Sequence, residues 1–262
     1  QLNQGKQAMV YSRLARRLRA LGLTRFKDYR ALLDDPENDE IIACINAITT
    51  NLTRFFRESH HFDHLRDEVL PKAAQGSLAG NGKRRFRLWS AGCSTGEEAY
   101  SMAMTVAEFV KTPAAWDMRI LATDLDTQVL ATASAGLYPK KALDTVSAAQ
   151  RKRWFARPPD SPRFKVEDDA KDSFNIDSRV RNLIAFKQLN LLEGWPMKGP
   201  FDAIFCRNVM IYFDRETQKT LVDRFADLLK PDGFLYLGHS ESLFRVTDRF
   251  HHLGQTIHQR TR

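Results

Sequence analysis

Along the first part of the chain, apolar side chains recur every three or four positions. Tyr11, Leu14, Leu18 and Leu21 stand at i, i+3, i+7 and i+10, which predicts one face of a helix closed by Gly22. Asp34-Asp35-Pro36-Glu37 reads as the start of a second helix, with Pro near its first turn and Ile41, Ile42, Ile45 and Ile48 facing inward. The stretch TTNLTRFFR, 49–57, is small and polar apart from two aromatics, and a further helix is expected over 59–72. Gln75-Gly76-Ser77-Leu78-Ala79-Gly80-Asn81-Gly82 has the composition of a linker. It divides the chain into a helical domain, 1–75, a linker, 76–83, and a second domain, 84–262.

In the second domain the periodicity changes. Strand-like runs at 86–91, 118–123, 184–189, 201–206, 234–237 and 256–259 alternate with helical patterns at 98–110, 126–135 and 216–229. The last helix runs into Lys230-Pro231-Asp232-Gly233, which reads as a stop and a turn. Such alternation predicts an α/β fold with a mainly parallel, doubly wound, Rossmann-like sheet. The interval before 184 breaks the rhythm and is too long for a structureless loop. A helix at 147–155 followed by an inserted antiparallel β-subdomain at about 157–182 is expected there, with alternating runs at 163–167 and 173–177.

Composition narrows the class. The 262 residues can bury a full core, and 43% hydrophobic with 27% charged residues is ordinary for a soluble globular protein. No apolar run approaches the ~18 residues of a membrane span. The first ten residues lack a signal-peptide core, and the absence of an initial Met leads us to expect a preceding segment. Cys44, Cys93 and Cys206 share no metal or disulfide spacing, which suits a reducing cytoplasm and no metal site. His60-His61 and His239 also lack ligand spacing.

A formal charge of +8 calls for an acidic partner: nucleic acid, an anionic membrane surface or an acidic protein. The segment from Tyr11 to Arg30 holds seven Lys or Arg and the single acid Asp28. Arg13, Arg16 and Arg17 lie opposite the apolar face of the first helix, with Arg19 beside them. A merely solvated face usually mixes signs, so this one reads as a docking surface.

Ligands of open α/β sheets bind at the carboxyl ends of the strands. Those ends carry Ala91-Gly92-Cys93-Ser94-Thr95-Gly96-Glu97-Glu98, Thr123-Asp124-Leu125-Asp126, Asn190-Leu191 and Cys206-Arg207-Asn208. An acid ending the second strand, Asp124, suits ribose hydroxyls. It could instead cap the next helix, a role open also to Asp126 or Thr127. Glu97 and Glu98 would repel a phosphate at the helix start, and no P-loop lysine is present. S-adenosylmethionine removes the conflict, because it is a nucleoside with a sulfonium and an ammonium and no phosphate. Thr95 to Glu98 and Ser94 to Glu97 each fit a capping box. We expect Glu97 to face the ligand and Glu98 to cap with Thr95.

With these residues assembled, the chain resembles the CheR family of S-adenosylmethionine-dependent methyltransferases that act on chemotaxis receptors. The resemblance rests on "YSRLARRLRALGL", "TTNLTRFFRESHHF", "WSAGCSTGEEAYS", "TDLDTQVL", "NLLE", "PFDAIFCRNVMIYFD" and "LKPDGFLYLGHSES", which span nearly the whole chain. It implies an N-terminal helical domain, a class I methyltransferase sheet and a small inserted β-subdomain. By that likeness Asn51, Thr53 and Arg57 would reach over the cofactor, and Gly92 would border it. Glu97 would contact its methionyl part, Asp124 its ribose, and Asn190 and Leu191 its adenine. Cys206 and Arg207 would line the pocket, with Tyr212 beside the transferring methyl group and Arg57 and Tyr212 as positioners.

The implied reaction is esterification of receptor glutamates. A glutamate is ionised at pH 7 and needs no general base, and no His–Asp or Cys–His arrangement is seen. Arg13, Arg16, Arg17 and Arg19 would attract the acidic methylation helix of the receptor. The enzyme is expected to be a cytoplasmic monomer recruited to receptor arrays, without membrane insertion or nucleic-acid binding. Relatives that tether to a receptor C-terminal pentapeptide carry a glycine-rich loop in the β-subdomain. Here Arg157-Pro158-Pro159-Asp160-Ser161-Pro162-Arg163 has no glycine, so weak or no pentapeptide binding is expected. The alternative, a nucleic-acid methyltransferase, would want an aromatic stacking platform beside a polar clamp, and "RNVMIYFD" offers only Tyr212 and Phe213. A non-enzymatic cofactor-binding adaptor would not need Asn51, Arg57 and Tyr212.

Overall fold

The computed structural model describes residues 4–35, 38–76, 78–158 and 172–261. Three helices come first, α1 (Gln4–Ala20), α2 (Phe26–Leu33) and α3 (Glu40–Ile48). They enclose a small cluster of Leu18, Tyr29 and Cys44. So thin a layer buries only one narrow stripe per helix. Leu18 is buried, but Tyr11 is 62% exposed, and Leu21, Ile41 and Ile42 are also exposed rather than inward. Pro36 and Glu37, part of the expected helix start, lie outside the described residues.

The helix expected over 59–72 is found as α4 (His60–His64), a π-turn (Leu65–Val69) and α5 (Leu70–Gln75). Its inner residues Phe62, Leu65, Val69 and Leu70 share one apolar cluster with Phe86, Leu88 and Phe205 of the sheet. The α4–α5 segment thus shares its apolar cluster with the sheet, while α1–α3 enclose their own.

There follow β1 (Arg84–Ala91), α6 (Glu97–Phe109), β2 (Trp116–Asp124), α7 (Thr127–Ala135), β3 (Leu137–Pro139), α8 (Ala148–Trp154), β4 (Phe155–Ala156) and β5 (Ser173–Ile176). The chain continues as α9 (Ser178–Arg181), β6 (Ile184–Gln188), β7 (Phe201–Cys206), α10 (Arg215–Leu228), β8 (Leu229–Leu237), β9 (Phe250–Gly254) and β10 (Ile257–Arg260). Seven strands form one sheet in the order β6-β2-β1-β7-β8-β10-β9. The first five are parallel, and β10 runs antiparallel to both β8 and β9. Every residue of β7 is buried because helices cover both faces.

The six expected strands are present, within a few residues at their ends. The seventh, β9, went unforeseen: its Phe250-His251-His252-Leu253 run has no apolar alternation, and as an edge strand it needs none. The helix stops before Lys230-Pro231-Asp232-Gly233 as expected, but these residues bulge within β8. Leu229 pairs with Phe201 and Phe234 with Ala203, and Asp232 takes a φ of 60°. The small antiparallel sheet has the order β3-β5-β4. It begins at Leu137, earlier than the expected 157, because the chain pairs β3 with β5 before entering α8. The run 173–177 supplies β5, while 163–167 and most of the proline-rich stretch invoked for pentapeptide binding lie outside the described residues.

Candidate active site

Strand order reverses between β1 and β7, which opens a crevice beyond their carboxyl ends. A pocket of about 640 Å³ occupies it. Gly92, Ser94, Asp124, Leu125 and the loops after β6 and β7 form its floor. Met9 and Val10 of α1, Ile45 and Ile48 of α3, and the segment 49–54 with Arg57 form its roof.

The floor is shaped by the loop after β1. Gly92 has a φ of 87°, and a Cβ there would meet Val209 Cγ2 at 2.5 Å. The N–H groups of Gly92 and Cys93 both donate to the carbonyl of Thr123, at 2.8 and 2.9 Å. Next to it, Asp124 Oδ2 accepts from the backbone N–H of Ser94 at 2.8 Å, and Oδ1 from that of Asp126 at 3.0 Å. Burial pushes the Asp124 carboxyl above its ordinary pKa, against these hydrogen bonds. The helix-capping role falls to Asp126, whose Oδ1 accepts from Gln128 and Val129 at the start of α7. Asp124 is left to face the pocket. The other Asp126 oxygen, Oδ2, accepts from Thr49 Oγ1 at 2.7 Å and Asn51 Nδ2 at 2.9 Å, so one residue latches roof to floor.

The two glutamates have different surroundings, and neither caps the helix with Thr95. Glu98 stands on the pocket wall, where its Oε1 accepts from Ser90 Oγ at 2.7 Å. Glu97 is 7% exposed and accepts from Thr95 Oγ1 at 2.6 Å. The reason is that neither Ser94 nor Thr95 caps the helix. Gly96 does, with a φ of 97°, where a Cβ would lie 2.8 Å from Ala133 Cβ. That shift in the helix start turns Glu98, one residue later and about 100° round the axis, toward the pocket. Burial raises the pKa of both carboxyls.

Arg207, at the end of β7, has a side chain only 2% exposed and lies 3.2 Å from each of Glu58 and Glu98. It also donates to the backbone carbonyl of Arg57. Burial pushes the Glu58 carboxyl up, but Arg207 and His239 outweigh it and hold its pKa below the usual value. Arg57 donates to the Leu52 carbonyl at 2.9 Å, which folds the roof segment back on itself. Thr53, Asn190, Leu191 and the half-exposed Tyr212 also stand on the wall. Asn190 is oriented by Glu193 Oε1 at 2.9 Å and by the Leu192 N–H at 3.0 Å.

Cys206, like Glu97, is an expected pocket residue that does not stand on the wall. It is fully buried in the apolar cluster with Leu221 and Phe225, because strand alternation turns it away from the side that Arg207 takes. Residues that sequence reasoning missed include Val209 and the apolar roof of Met9, Val10, Ile45 and Ile48. Their only signal was a surplus of apolar positions on α1 and α3. The arginine face also divides. Arg13 donates to the carbonyls of Ile48 and Thr49 at the end of α3. Arg17 forks onto Glu40 at 2.7 Å through both nitrogens. Arg16 and Arg19 are exposed.

Glu58, His60 and His61 bring one potential ligand atom each within 4.8 Å of one another. Both imidazoles already use Nε2 on the Gln255 carbonyl, and Arg207 against Glu58 opposes a cation.

A nucleoside without phosphate fits this pocket. Asp124 offers carboxylate lone pairs, Glu98 offers negative charge, and Leu125, Leu189 and Leu191 offer an apolar surface for a base. The family described as CheR methyltransferase, SAM binding domain, matches residues 51–259, and CheR methyltransferase, all-alpha domain, matches 1–49. A probable chemotaxis protein methyltransferase of Rhizobium etli is 46% identical over 257 residues, covering 98% of this chain and 91% of the relative. The chemotaxis protein methyltransferase of Escherichia coli strain K12 is 43% identical over 256 residues, covering 97% and 82%. No helix among the described residues is long and apolar enough to cross a membrane. This chain belongs to the CheR family and is an S-adenosylmethionine-dependent methyltransferase.

Proposed function

We propose that this chain methylates glutamate side chains of chemotaxis receptors and leaves glutamyl methyl esters. The observation that carries the reading is the chemistry of the wall. Its described residues include no His, Lys or Cys, Glu98 is already engaged by Ser90 and Arg207, and both Asp124 oxygens accept backbone N–H groups. An amine or hydroxyl acceptor would need a base there, whereas only about one glutamate in 500 is protonated at pH 7.

Bound in the pocket, S-adenosylmethionine supplies an electrophilic methyl group on its sulfonium. Asp124 accepts from the ribose hydroxyls and Glu98 attracts the ammonium. Arg57 and Tyr212, at the mouth, hold the incoming carboxylate in line, and the apolar roof keeps water out. Arg207 anchors the backbone of Arg57 and so fixes that guanidinium's approach. The names of the relatives support a chemotaxis receptor as the acceptor. Exposed Arg16 and Arg19 suit its acidic helix.

Peptide mass spectrometry of a methylated receptor tests the reading. One added methylene on a glutamate, lost when that glutamate is replaced by alanine, supports it. Addition to lysine, asparagine or a terminus overturns it.

A further inference from the structure

An exposed phenylalanine stands on a turn that is built rather than loose and is tied to the strip running through Tyr212 of the pocket wall. Phe244 is 75% exposed, while its neighbours Leu243 and Val246 are buried in the apolar cluster beside β7 and α10. Glu241, 6% exposed, ties the base of this turn to the floor. Its carboxylate accepts from the backbone N–H groups of Asn208, Ile211 and Gly238 at 2.9, 3.2 and 2.6 Å. Arg215, three residues beyond Tyr212, donates to the Arg245 carbonyl at 2.8 Å. The turn is thereby fixed against the strip that carries Tyr212. Arg245 is exposed and its guanidinium lies 5.1 Å from the Phe244 ring.

Other exposed groups lie on the pocket wall or next to it in the chain. Leu52 is 80% exposed, Tyr212 46% and Ile211 43%, and exposed Arg54 stands on the same roof segment as Leu52. A large apolar group held outward by a rigid support, with a cation beside it, marks a recognition surface rather than chance exposure. An amphipathic helix with acidic positions matches the pattern. Its apolar positions would meet Phe244, and its carboxylates would meet Arg245.

We propose that the Phe244–Arg245 turn grips the apolar and acidic faces of the substrate helix and so sets which helices can present a carboxylate to the pocket. The inference rests on the reading of a receptor helix as substrate. It adds a contact on the sheet side of the mouth, distinct from the arginines of α1.

The test is Michaelis kinetics of Phe244→Ser and Arg245→Glu with membrane vesicles bearing a methyl-accepting chemotaxis receptor. S-adenosylmethionine affinity is measured by calorimetry alongside. Each variant is expected to raise the KM for receptor about tenfold, with kcat and cofactor affinity within about twofold of the parent. Leu253→Ser, on exposed β9, serves as control and is expected to change neither. Should Phe244→Ser fail to fold, Arg245→Glu decides alone. An unchanged receptor KM in the folded variants overturns the proposal, while a parent enzyme that forms no base-labile ester overturns the functional reading instead.

Discussion

The guanidinium of Arg207 lies 3.2 Å from the carboxylate of Glu98, and both belong to the wall of the cofactor pocket. The carboxylate is thus held by a cation inside the fold while lining the pocket. Glu97, its neighbour in sequence, is satisfied locally by Thr95.

Glu98→Gln is therefore expected to weaken S-adenosylmethionine binding by about tenfold or more, and Glu97→Gln by no more than about threefold. Calorimetric titration of both variants checks this. The reverse ranking would restore Glu97 as the ligand-facing acid.

Asp126 caps α7 with one oxygen and latches Thr49 and Asn51 with the other. Asp126→Ala removes both roles and is expected to cost about 2–3 kcal/mol in urea unfolding, of which the cap accounts for about 1. Thr49→Val removes one of the two latch bonds to Asp126, along with the hydroxyl's contacts to the Asn46 carbonyl and Asn51 Nδ2, and leaves the α7 cap intact. It should leave most of the stability and still weaken cofactor binding, because the roof is no longer held down.

Arg17 and Arg16 sit next to each other on α1 yet should behave differently. Arg17→Ala leaves the buried Glu40 carboxylate with Tyr29 as its remaining side-chain partner and is expected to destabilise the helical layer by ~3 kcal/mol. Arg16→Glu should leave the thermal midpoint unchanged but slow receptor methylation at low ionic strength. That effect should fade by about 0.5 M salt as charges are screened.

Acid stability carries a histidine signature. Burial, with His252 nearby, lowers the His258 pKa to about 4, and burial and Arg207 lower that of His61 to about 3. Both are neutral in the fold, whereas the unfolded chain protonates them near 6.5. The unfolded state therefore binds more protons below that pH. Their contribution is complete above about pH 6.5 and is lost as pH falls toward 4, at up to about 1.4 kcal/mol per pH unit for each group. Glu97, Glu98 and Asp124, with raised pKa values, act in the opposite sense, so the comparison is made between His258→Gln and its parent. The variant should show a shallower loss of unfolding free energy between about pH 6 and 4.5, and equal slopes would contradict the assignment.

The sheet was legible because β7 and its neighbours are buried on both faces and read as continuous apolar runs. Asp124 was legible because it ends a strand. The orientation of Glu97 and Glu98 was not. It depends on Gly96 taking a left-handed conformation against Ala133, a contact 37 residues away that no local pattern reports. The roof was hidden for a similar reason: Ile45 and Ile48 look like core positions and become pocket wall only once α3 faces the same crevice as the residues that end β2 and follow β7. Arg13 and Arg17 read as a docking face until Glu40 and the end of α3 came beside them.

The central claim is methyl transfer to a receptor carboxylate. The most direct measurement is incubation of the enzyme with methyl-tritiated S-adenosylmethionine and receptor-bearing membranes in the presence of RNA, followed by mild alkali. Label on the receptor band that is released as volatile methanol is the result predicted here. Alkali-stable label on protein, or label confined to RNA, would contradict it.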